Sequence, residues 1–366
     1  MKLNIHLKTF LNRTLVIFIV LIFCFSLLEI GLRVIGRVPT EMMEGIVEQW
    51  GSSFRLKNNL KKTIRYPSFS YEVNTNSFGF RDKTTGEKNL DNKPYYIFLG
   101  ASDVFANGVN YEDSFVGILG EFASKKGIEV LNLAIGGHFF LDQELLFKDF
   151  LKKVIRKPEK LFFCVNALHI PKFDKKNENI VVRSGHLFEK KNWKPSYLRI
   201  MIGNVSSAYC FFRDNIRKFQ ARKGNVKGED NNSEFLNIYF KQNRMHDPET
   251  IKQFENYLKG FEKYCHEEGI TPIYVYLPLA DSFRLKELLM KLGKNPEEYD
   301  TSYYEELMVA YCKNQGVKLI NLGPILKMYY EKGIKLRFDL DSHFNKFTNR
   351  VIGEYLIEEM FSKKMD

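Results

Sequence analysis

The sequence has little cysteine and no recognisable pattern of it. Its 366 residues include five cysteines, which are Cys24, Cys164, Cys210, Cys265 and Cys312, and none forms a CxxC pair. An odd number of cysteines cannot all pair with one another. No cluster has metal-ligand spacing either, so we predict neither a disulfide framework nor a metal site.

Nucleic-acid motifs, dense arginine blocks and internal repeats are also absent from the sequence. The formal net charge is +11, but the lysines are spread along the whole chain. A solvated basic surface is the simplest interpretation, and attraction to anionic glycans or lipid headgroups is a second one. We therefore expect no nucleic-acid partner. With 44% hydrophobic residues the chain is apolar enough to build a substantial core.

The chain has one long apolar run, and it lies near the N-terminus. A basic tail over residues 1–13 precedes the charge-free stretch Thr14–Leu28, and apolar residues continue to Ile35. A helix over Thr14–Ile35 would be about 33 Å long, enough to cross the hydrocarbon core of a bilayer. No small-x-small cleavage site follows it, so residues 14–36 are predicted to be an uncleaved transmembrane signal anchor. The rest of the chain would then lie outside the cytoplasm, in the periplasm or at the cell surface.

The stretch Tyr95–Val109 is typical of a buried strand that stops in a tight turn. Tyr95–Leu99 carries no charge and is followed at once by Gly100, Ala101 and Ser102. A short apolar run ended by glycine predicts a parallel strand. The next side chain then stands at the carboxyl edge of the sheet, where open α/β sheets bind their ligands. Ser102 is either a nucleophile there, if a base reaches it, or a residue that turns the chain or caps a helix.

Strands and helices alternate from Tyr95 onward, which indicates a parallel sheet with helices on both faces. Strands are expected near residues 95–99, 128–133, 160–166, 271–277 and 317–322, and helices over 114–126, 142–155, 248–268, 303–315 and 346–360. The predicted fold class is α/β, in a three-layer α/β/α arrangement. Residues 37–92 are interpreted as a stalk and N-terminal extension of a domain over 93–366, and residues 171–247 as an insertion in that domain.

Three of the predicted strands end in small or amide residues, at Ser102, Gly137 and Asn166. Parallel strands bring such ends to one edge of the sheet. Acyl transfer needs a nucleophile and donors for a developing oxyanion, and the backbone N–H groups of Ser102 and Gly137 with the Asn166 amide could supply the donors. Between the last strand and the closing helix, His343 is the natural general base. A nearby aspartate, Asp341 or Asp339, can fix its tautomer.

In their order and spacing these blocks resemble the motifs of the SGNH/GDSL hydrolase superfamily, and most of all its membrane-anchored bacterial members. The blocks that carry the resemblance are Gly100-Ala101-Ser102 with Gly108, Asn132–Gly137, Asn166, and Asp341-Ser342-His343 in an Asp-x-His-x-Asn context. The stretch Asn76–Arg81 upstream of the serine also resembles those members. The resemblance covers about residues 70–363 without the insertion, and it implies a flavodoxin-like, five-stranded parallel sheet.

The resemblance further implies a membrane-anchored serine esterase that needs no cofactor and acts on ester or O-acyl groups. An acylated polysaccharide of the cell envelope is the substrate that we expect. Ser102 would attack, His343 would take and return the proton, and Asp341 would orient His343. The Asp-x-His form favours Asp341 over Asp339 as the acid.

The chain also departs from the family pattern. Ala101 and Ala167 stand where aspartate is usual, and Leu340 occupies the familiar position of the acid. Two alternatives therefore stay open. One is an O-acyltransferase that uses the same site, and the other is a catalytically inactive binding or assembly protein that keeps the fold.

Two further features lie near the predicted edge. His138 and His169 follow strand ends, and we expect them to line the pocket rim or face solvent rather than act as the base. The 171–247 insertion is rich in lysine and arginine and contains aromatic residues, among them Trp193, Tyr197, Phe211 and Phe212. It would either cover or extend the pocket for an anionic or sugar-bearing polymer, or form a helical insertion whose aromatic residues pack on the domain.

Overall fold

The computed structural model describes residues 2–35, 45–51, 53–65, 69–88, 90–176, 180–183, 186–190, 193–222, 236–279, 281–338 and 341–362. These residues form two compact units. The smaller unit contains an N-terminal helix, Lys2–Val34, and the helices Trp193–Val205 and Ser207–Arg222. Within the first of these, Asn12–Val34 is long and apolar enough to cross a membrane, although a signal sequence passes the same test.

The larger unit contains an eight-stranded mixed sheet and two separate hairpins. The strands of the sheet are β3 (Lys61–Arg65), β4 (Ser70–Thr75), β5 (Arg81–Asp82), β6 (Tyr95–Leu99), β7 (Glu129–Asn132), β8 (Lys160–Val165), β11 (Thr271–Tyr276) and β12 (Leu319–Asn321). Their order across the sheet is β12-β11-β8-β6-β7-β5-β4-β3. The hairpins pair β1 (Val47–Trp50) with β2 (Ser53–Leu56) and β9 (Ile180–Arg183) with β10 (His186–Glu189).

The predicted parallel core is confirmed. Strands β7, β6, β8, β11 and β12 are parallel neighbours, in the order of a flavodoxin-like sheet. The structure adds an antiparallel extension to this core, because β5 pairs with β7 and β4 pairs with β5. The sequence indicated short strands in this region but not that they join the sheet. Their alternation of buried and exposed residues is too short and too polar to mark them as part of a core.

Helices cover both faces of the parallel core, which gives the predicted three layers. Phe162 and Phe163 are neighbours in β8, and consecutive strand residues point to opposite faces. Phe162 stacks on Phe98 with ring centroids 4.5 Å apart, and Phe98 in turn contacts Phe115. Phe163 instead contacts Phe140, at a centroid distance of 5.0 Å.

The helices that begin near these contacts define the two layers. On the Phe162 side, Phe115–Ser124 packs against the closing helix Lys346–Ile357. On the Phe163 side lie Phe140–Leu151 and Pro248–Glu267, which contact each other through Phe147 and Phe261. The remaining helices of eight or more residues in the described part of this unit are Tyr303–Gln315 and Gly323–Glu331, and a shorter one spans Leu285–Lys291.

Two glycines of the Phe115–Ser124 helix allow a matched test of this packing. A Cβ on Gly117 would lie 1.9 Å from the carbonyl oxygen of Tyr111, whereas a Cβ on Gly120 would meet no atom closer than 3.6 Å. Alanine is favoured over glycine inside a helix by roughly 0.5–1 kcal/mol. We expect Gly120→Ala to raise the free energy of unfolding by about that amount and Gly117→Ala to lower it, as measured by denaturant unfolding in detergent. Equal effects of the two substitutions would contradict the packing.

Candidate active site

Ser102 begins a one-turn helix at the carboxyl end of β6. The helix spans Ser102–Phe105, and Ser102 itself is half-buried. Gly100 is required just before it, because a Cβ there would lie 2.2 Å from the Val104 side chain. The helix ends at Ala106, whose φ of 62° is rare for a residue with a side chain. The serine therefore stands on a tight turn that is sterically constrained on both sides.

Parallel register brings the neighbouring strand ends level with this turn. Leu99 of β6 pairs with Phe163 of β8, so Ser102 and Asn166 each follow three residues later at the same edge. On the other side, a Cβ on Gly136 would lie 3.6 Å from the Ser102 Cβ. The chain then turns at Gly137, which has a φ of 89°. The Gly136–Gly137 turn thus borders Ser102.

The Asn166 side chain is oriented by the backbone that follows it. Its Oδ1 accepts hydrogen bonds from the N–H groups of Leu168, at 3.0 Å, and His169, at 3.1 Å. The side-chain amide is planar, so these two bonds also fix the direction of Nδ2. Among the described residues, Nδ2 has no hydrogen-bond acceptor. It is therefore available as a donor to a ligand at this edge.

Asn107 and Asp341 hold the two ring nitrogens of His343. Nδ1 lies 2.5 Å from Asp341 Oδ1, and Nε2 lies 3.3 Å from Asn107 Nδ2. Tyr71 Oη donates to Asn107 Oδ1 at 3.2 Å, which fixes the orientation of that amide. Because an amide nitrogen only donates, Nε2 must accept, and the proton of the neutral ring lies on Nδ1 toward Asp341. This is the tautomer that a general base requires.

Two carboxylates influence the charge of this imidazole. Burial lowers the pKa of His343, but the hydrogen bond to Asp341 and the charges of Asp103 and Asp341 outweigh burial and raise it above its usual value. Burial likewise raises the pKa of Asp341, but its bond to His343 outweighs this, so the net shift is downward. For Asp103, burial raises the pKa and the His343 charge only partly offsets it. Asp103 was not a sequence candidate, although its place directly after Ser102 was an available signal.

Two side chains from the neighbouring strands hold the carbonyl end of the Ser102 helix. Asn132 Nδ2 donates to Val104 O at 2.9 Å. The guanidinium of Arg81, which is only 1% exposed, donates to the carbonyl oxygens of Phe105 and Ala106. Burial lowers the pKa of Arg81 to about 10, so it remains cationic at neutral pH. With alanine at position 101, which offers no polar side chain, these donors brace the turn.

The loop that carries His343 is fixed at both ends. Asn345 Oδ1 caps the closing helix by accepting from Thr348 N at 3.0 Å, while its Nδ2 donates to Lys335 O at 2.7 Å. Phe338 N donates to His343 O at 3.3 Å. The Phe338 ring fills the space next to Gly108, where a Cβ would lie 2.4 Å from it. The loop is thereby packed against the Ser102 turn.

Two histidines that the sequence placed near the edge of the sheet are more buried than expected. His138 is fully buried, with Nε2 2.8 Å from Phe54 O, and His169 is 7% exposed. Burial lowers the pKa of both, that of His169 to about 4. The expectation that they line the rim or face solvent is therefore wrong.

Asp339, the alternative acid, lies outside the described residues, as do residues 223–233 of the insertion. Within the described part of the chain, no group of three His, Cys, Asp or Glu side chains could hold a metal ion.

Comparisons with known proteins place these features in context. No family model matches the chain, and no curated protein matches it. Among solved structures, a lipolytic protein of the G-D-S-L family from Veillonella parvula matches with 11% identity and a TM-score of 0.41, over 74% of this chain and 99% of that one. An acetyl xylan esterase matches with 16% identity and a TM-score of 0.41, over 73% and 100% of the two chains.

A catalytic mutant of an acetylxylan esterase from Geobacillus stearothermophilus is also similar, with 10% identity and a TM-score of 0.41, over 73% of this chain and 94% of that one. The G-D-S-L family of these descriptions is the family that the sequence motifs resemble.

The charge environment of His343 can be measured directly. We expect Asp341→Asn to lower the pKa of the imidazole, because it removes the partner that stabilises the protonated ring, and Asp103→Asn to lower it less. Asp149→Asn, on the outer face of the Phe140–Leu151 helix, is the matched control and should leave it unchanged. The measurement is a pH titration of histidine ring signals by NMR, assigned through His343→Gln. An unchanged pKa in Asp341→Asn would contradict the described hydrogen bond.

Proposed function

We propose that this chain is a membrane-anchored serine esterase of the SGNH/GDSL type that acts on O-acyl groups, with Ser102, His343 and Asp341 as its catalytic residues. The observation that carries the proposal is the state of His343. Its Nδ1 is bound to Asp341 and its Nε2 accepts from Asn107, so the ring is set as a base at the edge where Ser102 stands. A histidine with only a packing role would not need a carboxylate bonded to Nδ1 and an unprotonated Nε2.

The reaction would proceed through an acyl-enzyme. Ser102 Oγ attacks the ester carbonyl carbon while His343 Nε2 takes its proton, and the tetrahedral intermediate expels the alcohol, which receives that proton. Water then repeats the two steps and releases the acid. Ser102 has no hydrogen bond to His343 in the structure, and such bonds often tighten only when substrate binds. The Asn107 contact to Nε2 would then give way to the serine hydroxyl.

Three donors would stabilise the oxyanion, as the sequence predicted. They are the backbone N–H groups of Ser102 and Gly137 and the side-chain Nδ2 of Asn166. The amide of Asn166 is the best supported of these, because its Oδ1 is fixed by two backbone N–H groups. Pre-oriented donors lose no further freedom during the reaction, which is why such sites use them. The assignment of Asp341 rather than Asp339 as the acid rests on its direct bond to His343.

The proposed substrate is an acylated glycan of the cell envelope. The charge of +11 would attract an anionic polymer, and the Asn12–Val34 helix would hold the protein at a membrane with its larger unit outside the cytoplasm. The same acyl-enzyme would serve an O-acyltransferase if a glycan hydroxyl replaced water as the acceptor. An inactive binding protein is the other candidate, favoured by the missing Ser102–His343 bond and by Ala101 and Ala167.

The nucleophile test separates an enzyme from an inactive binding protein. We expect the full chain in detergent to hydrolyse a short-chain aryl ester and to be labelled at Ser102 by a fluorophosphonate. Ser102→Ala should reduce turnover by roughly three or more orders of magnitude, since the serine and its base act as a unit. Ser124→Ala, at an exposed helix end, should keep full activity. A well-folded chain that neither hydrolyses the ester nor reacts with the probe would disprove the esterase.

The pH profile tests the general base. His343 must be neutral to accept a proton, and its pKa is raised, so kcat/KM should fall as the pH drops through a value above the usual histidine pKa. Asp103→Asn removes a negative charge that favours the protonated ring, so this acidic limb should move to lower pH. Asp149→Asn should not move it. A limb that stays in place in Asp103→Asn would argue against His343 as the titrating group.

A further inference from the structure

The smaller unit joins the end of the N-terminal helix to two helices of the insertion. The carboxylate of Glu29 accepts hydrogen bonds from the backbone N–H groups of Ser207 and Ala208, both at 2.9 Å, and from Ser206 Oγ at 3.1 Å. Glu29 thus acts as the N-cap acceptor of the Ser207–Arg222 helix, with its negative charge at the end where the helix dipole favours it.

Arg33 lies one turn further along the N-terminal helix and completes the contact. We call the contact of Glu29 and Arg33 with residues 205–208 the joint. Its Nε donates to Glu29 Oε1 at 2.7 Å, and its Nη2 donates to Val205 O at 2.7 Å, the last residue of the Trp193–Val205 helix. Leu32, between these residues, is 5% exposed, whereas most apolar side chains from Leu15 to Ile30 are more than half exposed. The two insertion helices are therefore held by the C-terminal end of the apolar helix.

The joint has a defined depth if the N-terminal helix spans a bilayer, as the proposed function assumes. Asn12–Val34 would be about 35 Å long, slightly more than the roughly 30 Å of hydrocarbon that it has to cross. Glu29 and Arg33 lie in its last turns, where charged side chains reach the headgroups. Residues 205–208, which bond to them, would then lie at the membrane interface.

The helices that leave this joint have exposed apolar stripes. On Trp193–Val205 the stripe is Leu198, Met201, Ile202 and Val205, at spacings of i, i+3, i+4 and i+7, with exposures between 39% and 67%. On Ser207–Arg222 it is Phe212, Ile216 and Phe219, at i, i+4 and i+7, with exposures between 50% and 58%. An apolar stripe of this kind normally faces a protein core. Here these side chains instead keep between 39% and 67% of their surface exposed.

The charge of the two helices complements an anionic surface. Residues 193–222 contain six basic residues, which are Lys194, Arg199, Arg213, Arg217, Lys218 and Arg222, and a single acidic residue, Asp214. Helices with Phe and Leu on one face and many Lys or Arg residues bind in the plane of the membrane interface. Basic residues near such a surface are attracted to anionic headgroups.

We propose that residues 193–222, called here the interfacial helix pair, bind the bilayer surface around the anchor. The apolar stripes would enter the boundary between headgroups and acyl chains, and the net positive charge of residues 193–222 would favour anionic headgroups. This proposal rests on the membrane anchor of the proposed function but not on its catalytic residues. It assigns Phe212 to lipid, rather than to a polymer groove or to packing on the domain. It also makes the apolar helix a permanent part of the fold, because its removal would take the cap from Ser207–Arg222.

The test uses the full chain in vesicles of phosphatidylcholine and phosphatidylglycerol. Cys24 is the one exposed cysteine among the described residues, so a fluorophore on it reports on the anchor. In a Cys24→Ser background, the same fluorophore is placed through Leu198→Cys, Ile216→Cys and, as an exposed control on the Pro248–Glu267 helix, Lys252→Cys. Lipids that carry a nitroxide at a shallow or a deep acyl position then quench each label according to its depth.

We expect deep quenching at position 24, and shallow quenching at 198 and 216 that is at least about twofold stronger than at 252, given an insertion depth of roughly 5–10 Å. Quenching at 24 but not at 198 and 216 would overturn the proposal. Absence of quenching at 24 would remove the anchor and the proposal with it, while fluorophosphonate labelling of Ser102 would still report separately on the catalytic assignment. The label at 216 could instead be shielded from water without being quenched by the lipids. If this shielding increases with protein concentration, the stripe contacts a second copy of the chain.

Discussion

The buried guanidinium of Arg81 is the interaction on which the candidate site depends. A one-turn helix has almost no hydrogen bonds of its own, and its last carbonyl groups need donors from elsewhere. Arg81 supplies them to Phe105, Ala106 and Val109, and Asn132 supplies one to Val104. Arg81 and Asn132 are paired across β5 and β7. The antiparallel extension of the sheet therefore exists at the place where the Ser102 turn has to be supported.

This support explains how an alanine can occupy position 101. In the family whose motifs the sequence resembles, an aspartate is usual at this position, whereas here the bracing groups come from an upstream strand and from the neighbouring one. The left-handed conformation of Ala106 is unfavourable for a residue with a side chain, and it persists because Arg81 binds the carbonyl group of that residue. The departure from the motif thus removes one brace but does not leave the serine turn unsupported.

The two units illustrate two uses of a charged group near an apolar environment. In the larger unit, Asp341 and Asp103 favour the protonated form of His343 against the effect of burial. In the smaller unit, Glu29 and Arg33 satisfy each other and the ends of two helices at once. In both cases a carboxylate is bonded directly to a basic side chain, Asp341 to His343 and Glu29 to Arg33.

The parallel core was predictable from sequence because its signals are local. Charge-free runs such as Tyr95–Leu99 and Leu161–Val165 with a glycine or amide at the end mark buried strands, and helical spacing marks the helices between them. The order of short motifs was enough to nominate Ser102, Asn166 and His343 as candidate site residues. The antiparallel strands escaped prediction because β5 has only two residues and β4 is polar on one face.

The sequence by itself determined the elements of the parallel core, their strand ends and the candidate nucleophile and base, with Asp341 preferred as the acid, since each depends on residues close together in the chain. Only the tertiary structure decided the tautomer of His343, because Asn107 lies 236 residues away from it along the chain. The burial of His138 and His169, the bracing by Arg81 and the bond of Glu29 to Ser207, 178 residues apart, were decided in the same way. Such contacts depend on how distant segments pack, and no local pattern of residue types encodes that distance.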